Sequence, residues 1–398
     1  MNLRRAIIIL ATLLVVGVGL YFLSQYAKGY RFNSETMSFS PSGLVVVKSN
    51  PEAARIFIDG EFNTVTNNNI SVAPGTYDFM IKKEGFHDWG KRVKIEKEVV
   101  TELDAQLFSL SPSLSAITFT ASLDPKPTSD FTKIGYIVPA TIENINQDKE
   151  GLWAIETVNL PIGFVRDPRR ITNGDLEKVS WEWSPDGRQI LLQSINGSYL
   201  LDAGDYTPQK DRVNITSSLD KILTDWEEES QKRINSQFRG LPDEIKEVLE
   251  NAKMVQFSPD EKRVMYTATA EVTLSDNLIK PVPGANAVIQ NRHIKKDHTY
   301  VYSIKDDTNY LILEDSSKLL EDNPKEALMW FPTSRNLIYA KGETVIIMDS
   351  DGTNKQEVFS GSYVAPNAFP VASKDRLIIL TNLGANSNPP NLYSLSIK

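Results

Sequence analysis

One strand–turn–strand pattern recurs along the C-terminal part of the chain and limits the folds open to it. Each copy is an apolar segment, a polar turn and a second apolar segment. The copies span Trp181–Leu192, Val255–Tyr266, Met329–Tyr339 and, more weakly, Phe369–Leu380. Pro259 follows Pro185 by 74 residues, and Pro332 follows Pro259 by 73. A single hairpin cannot bury its apolar face alone, so the copies must stack or close on one another.

Each copy is followed by further strand-like segments, so each unit has about four strands. Four-stranded units arranged radially form a β-propeller. An earlier unit is indicated by Lys133–Val138 and Leu152–Ile155, which gives about five visible units and predicts five to six blades over residues 113–398. The Ser184-Pro185-Asp186-Gly187 turn and the Asp349–Asn354 segment resemble TolB-like propeller repeats, which are related in kind to WD repeats. That resemblance implies a domain that binds proteins or ligands, or that gates a peptidase.

A set of short strands with frequent turns precedes the repeats, over residues 43–110. Gly43–Ser49 is a β-branched run, and Arg55–Ile58 leads into the tight-turn signal Asp59-Gly60. These segments predict a small all-β sandwich. The order Ser-Asn-Pro-x-x-Ala-x-Ile-x-Ile-Asp-Gly, then Pro-Gly-x-Tyr, then Lys-Lys-Glu-Gly-Phe, resembles the PEGA domain over about residues 43–108. Residues 63–69 depart from the family's usual Gly and Thr-Pro. The resemblance implies a spacer or interaction module at the cell surface.

The N-terminus contains an uncharged stretch from Ala6 to Leu23. Eighteen helical residues rise about 27 Å, close to the thickness of the hydrocarbon core. We therefore expect a transmembrane anchor over residues 1–29 and a polar linker over 30–42. A cleaved signal peptide and a buried soluble helix are the alternatives, although the sequence after Leu23 is a poor cleavage site. Long following domains favour the N-terminus inside and the body outside.

An amphipathic segment interrupts the propeller pattern over residues 217–252. Its apolar residues recur at helical spacing, and Pro242 suits a first helical turn. We expect a helical hairpin that either packs on the flank of the propeller or serves as a docking arm for a partner. Trp226 and Phe238 are its weak candidates for binding residues.

A long loop over residues 281–298 carries the basic residues Arg292, Lys295 and Lys296, which are further weak candidates for a binding face. A solvated loop is the alternative. His293 and His298 are five positions apart, which does not suit a helical metal pair. Asp349–Gly352 lacks the full EF-hand spacing, so a hairpin turn is favoured over calcium. Trp181 and Trp183 suit a blade core better than a sugar platform.

Composition excludes several function classes. The chain has 398 residues, no cysteine and a net charge of −8, so disulfides and a Cys nucleophile are excluded, and nucleic acid is disfavoured. The charge also argues against a broad face for anionic membranes. No nucleophile elbow or phosphate-binding loop is present. We predict no catalytic, metal or cofactor site.

The sequence therefore predicts a mainly β, membrane-anchored protein of the cell envelope that acts without catalysis. Its body is expected on the extracytoplasmic side of a bacterial membrane. A protein or a wall polymer is the expected partner, met by the propeller or the PEGA-like domain. A propeller enzyme, hydrolase or lyase, with a site in the central channel and a purely structural envelope spacer are the alternatives.

Overall fold

The computed structural model describes residues 3–27, 31–33, 38–140, 149–158, 167–176, 178–279, 288–385 and 388–398. Two compact units are present, and the chain passes from the first to the second between Leu107 and Phe108. Pro281, Pro283 and Gly284 of the predicted loop lie outside the described residues.

The N-terminal helix, α1, spans Leu3–Ala27, which lies within the predicted anchor of residues 1–29 and extends beyond the uncharged stretch Ala6–Leu23 at both ends. Its window Ile7–Ser24 has a mean hydropathy of 2.6, and none of that window is buried. Among the described residues, this is the one helix long and apolar enough to cross a membrane. A helix that is apolar all round yet exposed suits lipid better than water. This N-terminal helix fits a membrane anchor or a signal peptide.

The rest of the first unit is a two-layer β-sandwich preceded by a short hairpin. Its strands are β1 Arg31–Asn33, β2 Ser38–Ser40, β3 Gly43–Asn50, β4 Arg55–Ile58, β5 Glu61–Val65, β6 Asn68–Val72, β7 Gly75–Lys82, β8 Trp89–Ile95 and β9 Val100–Gln106. β1 pairs with β2 within the predicted linker. One sheet has the order β6-β3-β9 and the other β5-β4-β7-β8. The sandwich predicted for this segment is confirmed, and the parallel pairing of β3 with β9 was not predicted.

Alternate residues of the strands build the core of the sandwich, although several of the intervening residues are also apolar. Val45 and Val47 on β3 face Ile56 on β4 and Phe79 and Ile81 on β7 in one apolar cluster, and all five are buried. Alternate residues of each strand therefore point away from the core.

The second unit contains the remaining strands and two further helices. The strands are β10 Ser113–Ala116, β11 Leu123–Pro127, β12 Lys133–Val138, β13 Gly151–Glu156, β14 Arg169–Asn173, β15 Ser180–Trp183, β16 Gln189–Ser194, β17 Gly197–Asp202, β18 Lys253–Phe257, β19 Arg263–Thr267, β20 Val272–Thr273, β21 His293–Ile294, β22 Thr299–Ser303, β23 Thr308–Leu313, β24 Glu326–Trp330, β25 Asn336–Lys341, β26 Thr344–Asp349, β27 Gln356–Ser360, β28 Ala368–Pro370, β29 Arg376–Thr381 and β30 Asn391–Ser396. The helices are α2 Leu219–Phe238 and α3 Asp243–Glu250, and 3-10 turns lie at Gln209–Asp211, Thr216–Ser218 and Ser317–Leu319.

These strands form five propeller-type sheets, numbered here in chain order. Sheet 1 is β11-β12-β13-β14, sheet 2 is β15-β16-β17, sheet 3 is β18-β19-β22-β23, sheet 4 is β24-β25-β26-β27 and sheet 5 is β10-β30-β29-β28. A separate two-stranded ribbon pairs β20 with β21. Five sheets in the described residues agree with the predicted mainly β propeller architecture. Sheet 2 departs from the expected four strands, because its chain leaves for the helices after β17.

Neighbouring sheets pack face to face, which explains why their strands are apolar on both sides. On β12, Ile137 joins a cluster with sheet 2, whereas Ile134 and Tyr136 join a cluster with sheet 5. On β29, Leu377 faces sheet 4 and Ile378 faces sheet 1. The first and last sheets of the unit therefore share a core, and β10 supplies the outer strand of sheet 5 by pairing with β30.

A five-residue turn recurs once in each of the five sheets, between β11 and β12, β15 and β16, β18 and β19, β24 and β25, and β28 and β29. In sheet 2, the Ser184 hydroxyl donates to Asp186 Oδ1 at 2.6 Å, and the backbone N–H of Arg188 donates to the same oxygen at 3.0 Å. These hydrogen bonds lower the pKa of Asp186. The same hydroxyl–carboxylate pair recurs as Thr128 with Asp130 and as Ser258 with Asp260.

The fourth residue of each turn has a left-handed backbone. Its φ is +56° at Phe131, +67° at Gly187, +58° at Glu261, +63° at Ser334 and +61° at Lys374. Only sheet 2 places glycine there, although this conformation disfavours residues with a Cβ atom.

We predict that Gly187→Ala destabilises the second unit by about 1–2 kcal/mol, because the left-handed position penalises a Cβ atom. That atom would also lie 2.9 Å from Thr128 Cγ2. Gly240→Ala is the control, since nothing lies within 4 Å of its added Cβ. Denaturant unfolding of both variants measures the effect. Equal stability of the two variants would show that the turn does not impose this conformation.

Candidate functional site

The most unusual feature of the second unit is the helical insertion between sheets 2 and 3. The edge strand β17 forms one isolated bridge, between Tyr199 and Asn214, and the chain then enters α2. Helices α2 and α3 lie within the stretch predicted to be a helical hairpin. The insertion therefore takes the place of a fourth strand in sheet 2.

Sheets 1 and 2, and likewise sheets 3 and 4, are joined directly through their strands and turns. The Trp183 indole N–H donates to the Lys126 carbonyl at 2.9 Å, which joins sheet 2 to sheet 1. The Trp330 indole N–H donates to the Gln256 carbonyl at 3.0 Å, which joins sheet 4 to sheet 3. The turns add Lys133 Nζ, which donates to the Gly187 carbonyl at 2.9 Å.

Between sheets 2 and 3, the C-terminal end of α2 makes equivalent contacts. Phe257 occupies the position of those tryptophans, and its ring lies 5.9 Å from that of Phe238 on α2. Arg233 donates to the Pro185 carbonyl at 3.3 Å, and Gln237 Nε2 donates to Glu261 Oε1 at 3.0 Å. Helix α2 thus bridges the turn of sheet 2 and the turn of sheet 3.

The two helices differ sharply in burial. Helix α3 buries Ile245, Val248 and Leu249 in the apolar cluster of sheet 3. Helix α2 has no buried residue over its 20 positions. We name α2, Leu219–Phe238, the helical arm, because its C-terminal end contacts the sheets and the rest is half-buried or exposed.

The exposed surface of the helical arm is acidic with apolar residues beside it. Leu223 and Ile234 are 40% and 37% exposed. Asp225, Glu227, Glu228 and Glu229 lie within five positions, and all four are exposed. Lys232 pairs with Glu228 at 3.6 Å, as the i,i+4 spacing suggests. An exposed helix of this kind can present side chains to another macromolecule.

The five weak candidates from the sequence lie in two separate places. Trp226 and Phe238 are half-buried on the helical arm, whereas Arg292, Lys295 and Lys296 surround β21. The described contacts do not join the two groups. Lys295 and Lys296 are exposed, and the Lys295 backbone N–H donates to the Tyr300 hydroxyl at 2.8 Å.

Arg292 holds a buried ion pair. Its Nη1 donates to Asp307 Oδ1 at 3.0 Å, and the two side chains are 14% and 4% exposed. The Tyr302 hydroxyl donates to the same carboxylate at 2.8 Å. Burial alone would raise the pKa of Asp307, but the hydrogen bonds from Arg292 and Tyr302 outweigh it and lower that pKa. The sequence showed the charge of Arg292 without revealing this partner.

The other side chains considered in the sequence contact groups of the protein itself. Trp181 is fully buried, and its ring packs edge to face with that of Trp183 at 5.9 Å. Asp349 Oδ1 and Oδ2 accept hydrogen bonds from the Asn336 and Asn354 amides, each at 2.9 Å. His293 Nδ1 lies 3.0 Å from the Thr273 hydroxyl. In the described part of the chain, no three His, Asp or Glu side chains cluster so as to hold a metal ion.

Comparison with known proteins finds a family match within the first unit. Residues 42–109 match the PEGA domain family. We call this segment the PEGA domain after that match. The match covers the sandwich from β3 to β9, as the turn order of the sequence predicted. No curated protein matches the chain.

Solved structures with similarity to the chain include three matches of low identity. Putative TolB from Agrobacterium tumefaciens is 11% identical, with 69% of this chain and 78% of that chain covered and a TM-score of 0.22. An acylaminoacyl peptidase of Pyrococcus horikoshii is 11% identical, with 71% and 39% covered and a TM-score of 0.22. Hsv2 of Kluyveromyces lactis is 8% identical, with 66% and 70% covered and a TM-score of 0.24. This chain thus spans about two fifths of the peptidase.

We predict that Phe238→Ala releases the helical arm and costs about 2 kcal/mol, less than the roughly 3–5 kcal/mol of a fully buried ring. Leu223→Ala is the control on the same helix, because Leu223 is 40% exposed and should change stability by less than about 1 kcal/mol. Denaturant unfolding and limited proteolysis within α2 measure both effects. Equal proteolytic sensitivity of the two variants would contradict attachment through the C-terminal end.

We predict that Arg292→Met destabilises the second unit by about 3 kcal/mol, because Asp307 then stays buried without its cation. The double variant Arg292→Met/Asp307→Asn should recover part of that loss, since no uncompensated charge remains. Thermal unfolding of the single and double variants measures the difference. A single variant as stable as the parent would leave Arg292 free for a binding role.

Proposed function

We propose that the chain is a membrane-anchored binding protein of the cell envelope. Helix α1 holds it to the bilayer, the PEGA domain and the propeller lie on the extracytoplasmic side, and the helical arm meets a protein partner. The observation that carries the proposal is a 20-residue helix with no buried residue, joined to the sheets near its C-terminal end.

The energetics of the helical arm support a binding role. Isolated helices are marginal in water, and most helices gain their stability from packing of one face. Here the short α3 supplies the buried face, whereas the longer α2 leaves Leu223 and Ile234 in solvent. A partner that covers these side chains would add burial that the chain itself does not provide.

Charge favours a protein over a wall polymer as the partner of the helical arm. Its exposed carboxylates, Asp225 and Glu227 to Glu229, would repel an anionic polymer. A basic protein surface with an apolar groove would complement both the carboxylates and Leu223. The i, i+3 and i+4 side chains of a helix suit such a groove.

Binding without catalysis is the activity that we propose. The perturbed carboxylates support it, because Asp130, Asp186 and Asp260 each accept hydrogen bonds from their own turns. These hydrogen bonds shape the turns and lower the pKa of each carboxyl, which weakens it as a proton acceptor.

Cross-linking from single cysteines tests the proposal, since the chain has no cysteine of its own. Leu223→Cys lies on the helical arm, and Leu383→Cys is a control that is 58% exposed elsewhere in the second unit. We expect a specific cross-linked protein from Leu223→Cys alone. Adding Glu227→Lys/Glu228→Lys should abolish it, whereas Glu321→Lys/Asp322→Lys should not.

Two results would contradict the proposal. Identical products from both cysteines, or products that survive the charge reversal, would exclude the helical arm as the docking surface. A membrane-impermeant maleimide applied to intact cells reports sidedness. We expect labelling of Leu383→Cys before lysis, and labelling only after lysis would place the second unit inside the cell.

A further inference from the structure

The outer face of the four-stranded sheet in the PEGA domain carries an exposed apolar row. Strand register places Phe62 opposite Phe57, Phe57 opposite Met80 and Met80 opposite Gly90. The row crosses all four strands, β5-β4-β7-β8. Because Ile56 and Phe79 point into the core, these neighbours point away from it.

The apolar row is unusually open to solvent. Phe62 is 59% exposed and Met80 is 40% exposed, and the ring of Phe62 lies 5.9 Å edge to face from that of Phe57. Gly90 adds no side chain, so the row ends in a shallow gap. Val65, 42% exposed, lies on the same strand as Phe62. Contiguous exposed apolar side chains mark an interaction surface more often than scattered ones do.

Cations lie in the adjoining row of the same face. Arg55 is opposite Lys82 in the register, and like charges in that position destabilise a sheet. Lys82 Nζ lies 2.8 Å from Asp88 and 5.9 Å from the centre of the Phe57 ring. Within the described residues, Arg55 has no carboxylate partner. Asp88 already compensates part of the charge of Lys82, so an external anion near Arg55 would relieve the repulsion that remains.

The connection between α1 and the PEGA domain is short. Helix α1 ends at Ala27 and β3 begins at Gly43, so residues 28–42 form the whole connection. Even fully extended, that connection spans only about 50 Å. A short tether gives the domain a high effective concentration at the lipid surface, so that even a weak binding site is largely occupied. Lipid is within reach whichever side of the membrane the domain occupies.

We propose that the apolar row and its two cations rest on the lipid surface of the membrane that holds α1. Phe62 and Met80 enter the interface between headgroups and acyl chains, and Arg55 and Lys82 bind headgroup phosphates. Exposed aromatic and apolar residues beside basic ones are the composition that binds this interface. The patch is local, so it is compatible with the net charge of −8. The inference rests on the proposed membrane anchor.

Fluorescence in lipid nanodiscs tests the proposal on the full chain. An environment-sensitive fluorophore is attached at Met80→Cys, and nitroxide-labelled lipids serve as quenchers. Glu102→Cys, exposed on β9 in the other sheet, is the control. We expect quenching and a blue shift at position 80, stronger with phosphatidylglycerol than with phosphatidylcholine alone, and little quenching at position 102.

Further variants separate the apolar contribution to lipid binding from the electrostatic one. Adding Phe62→Ser should lower quenching at position 80 in both lipids, whereas Arg55→Glu/Lys82→Glu should remove the difference between the lipids. Thermal unfolding confirms that each variant stays folded, as expected for exposed positions.

The outcomes distinguish this proposal from the anchor on which it rests. A fluorophore at Val15→Cys in α1 reports insertion. Quenching at Val15 without quenching at Met80 would overturn the lipid contact alone, and absence of both would overturn the anchor as well. A blue shift at Met80 without quenching would indicate a protein contact and would also overturn the proposal, as would equal quenching at Met80 and Glu102.

Discussion

The second unit depends on the pairing of β10 with β30. This pairing joins Ser113 to Ser396 and Ala116 to Tyr393, so the beginning of the unit completes its last sheet. Sheets 1 and 5 also share a core, in which Tyr136 lies in one apolar cluster with Phe369, so the two ends of the unit lie together. The entropic cost of closing so long a loop grows only slowly with loop length, so the burial of apolar side chains between the sheets can offset that cost.

The helical arm is the exception within this arrangement. Direct hydrogen bonds from Trp183 and Trp330 join neighbouring sheets, whereas the contact of Phe238 with Phe257 brings a helix to the junction of sheets 2 and 3. Helix α2 therefore packs between two sheets near its C-terminal end and exposes the rest of its surface to solvent. In our proposal, the sheets present the exposed surface of α2 to a partner, while the PEGA domain and α1 hold the protein at the membrane.

Sequence patterns predicted the local elements better than the long-range ones. The sequence Ser-Pro-Asp-Gly predicted the turn at Ser184–Gly187. The equivalent turn at Thr128 and Asp130 lacks both proline and glycine and was not predicted, although its hydrogen bonds are the same. β10 is four residues long and polar at alternate positions, so nothing in it indicated a partner at the far end of the chain. Helical spacing predicted α2 but could not show how little of it is buried, and the pairing of Arg292 with Asp307 needed the fold.

Native-state hydrogen exchange of β10 tests the central structural claim most directly. If β10 completes sheet 5, the amides of Ser113–Ala116 that pair with β30 should exchange with an opening free energy close to that of β29. Deletion of β10 should then expose β30 and loosen sheet 1. Exchange of the β10 amides at the rate of an open segment, while β29 and β30 stay protected, would contradict the account.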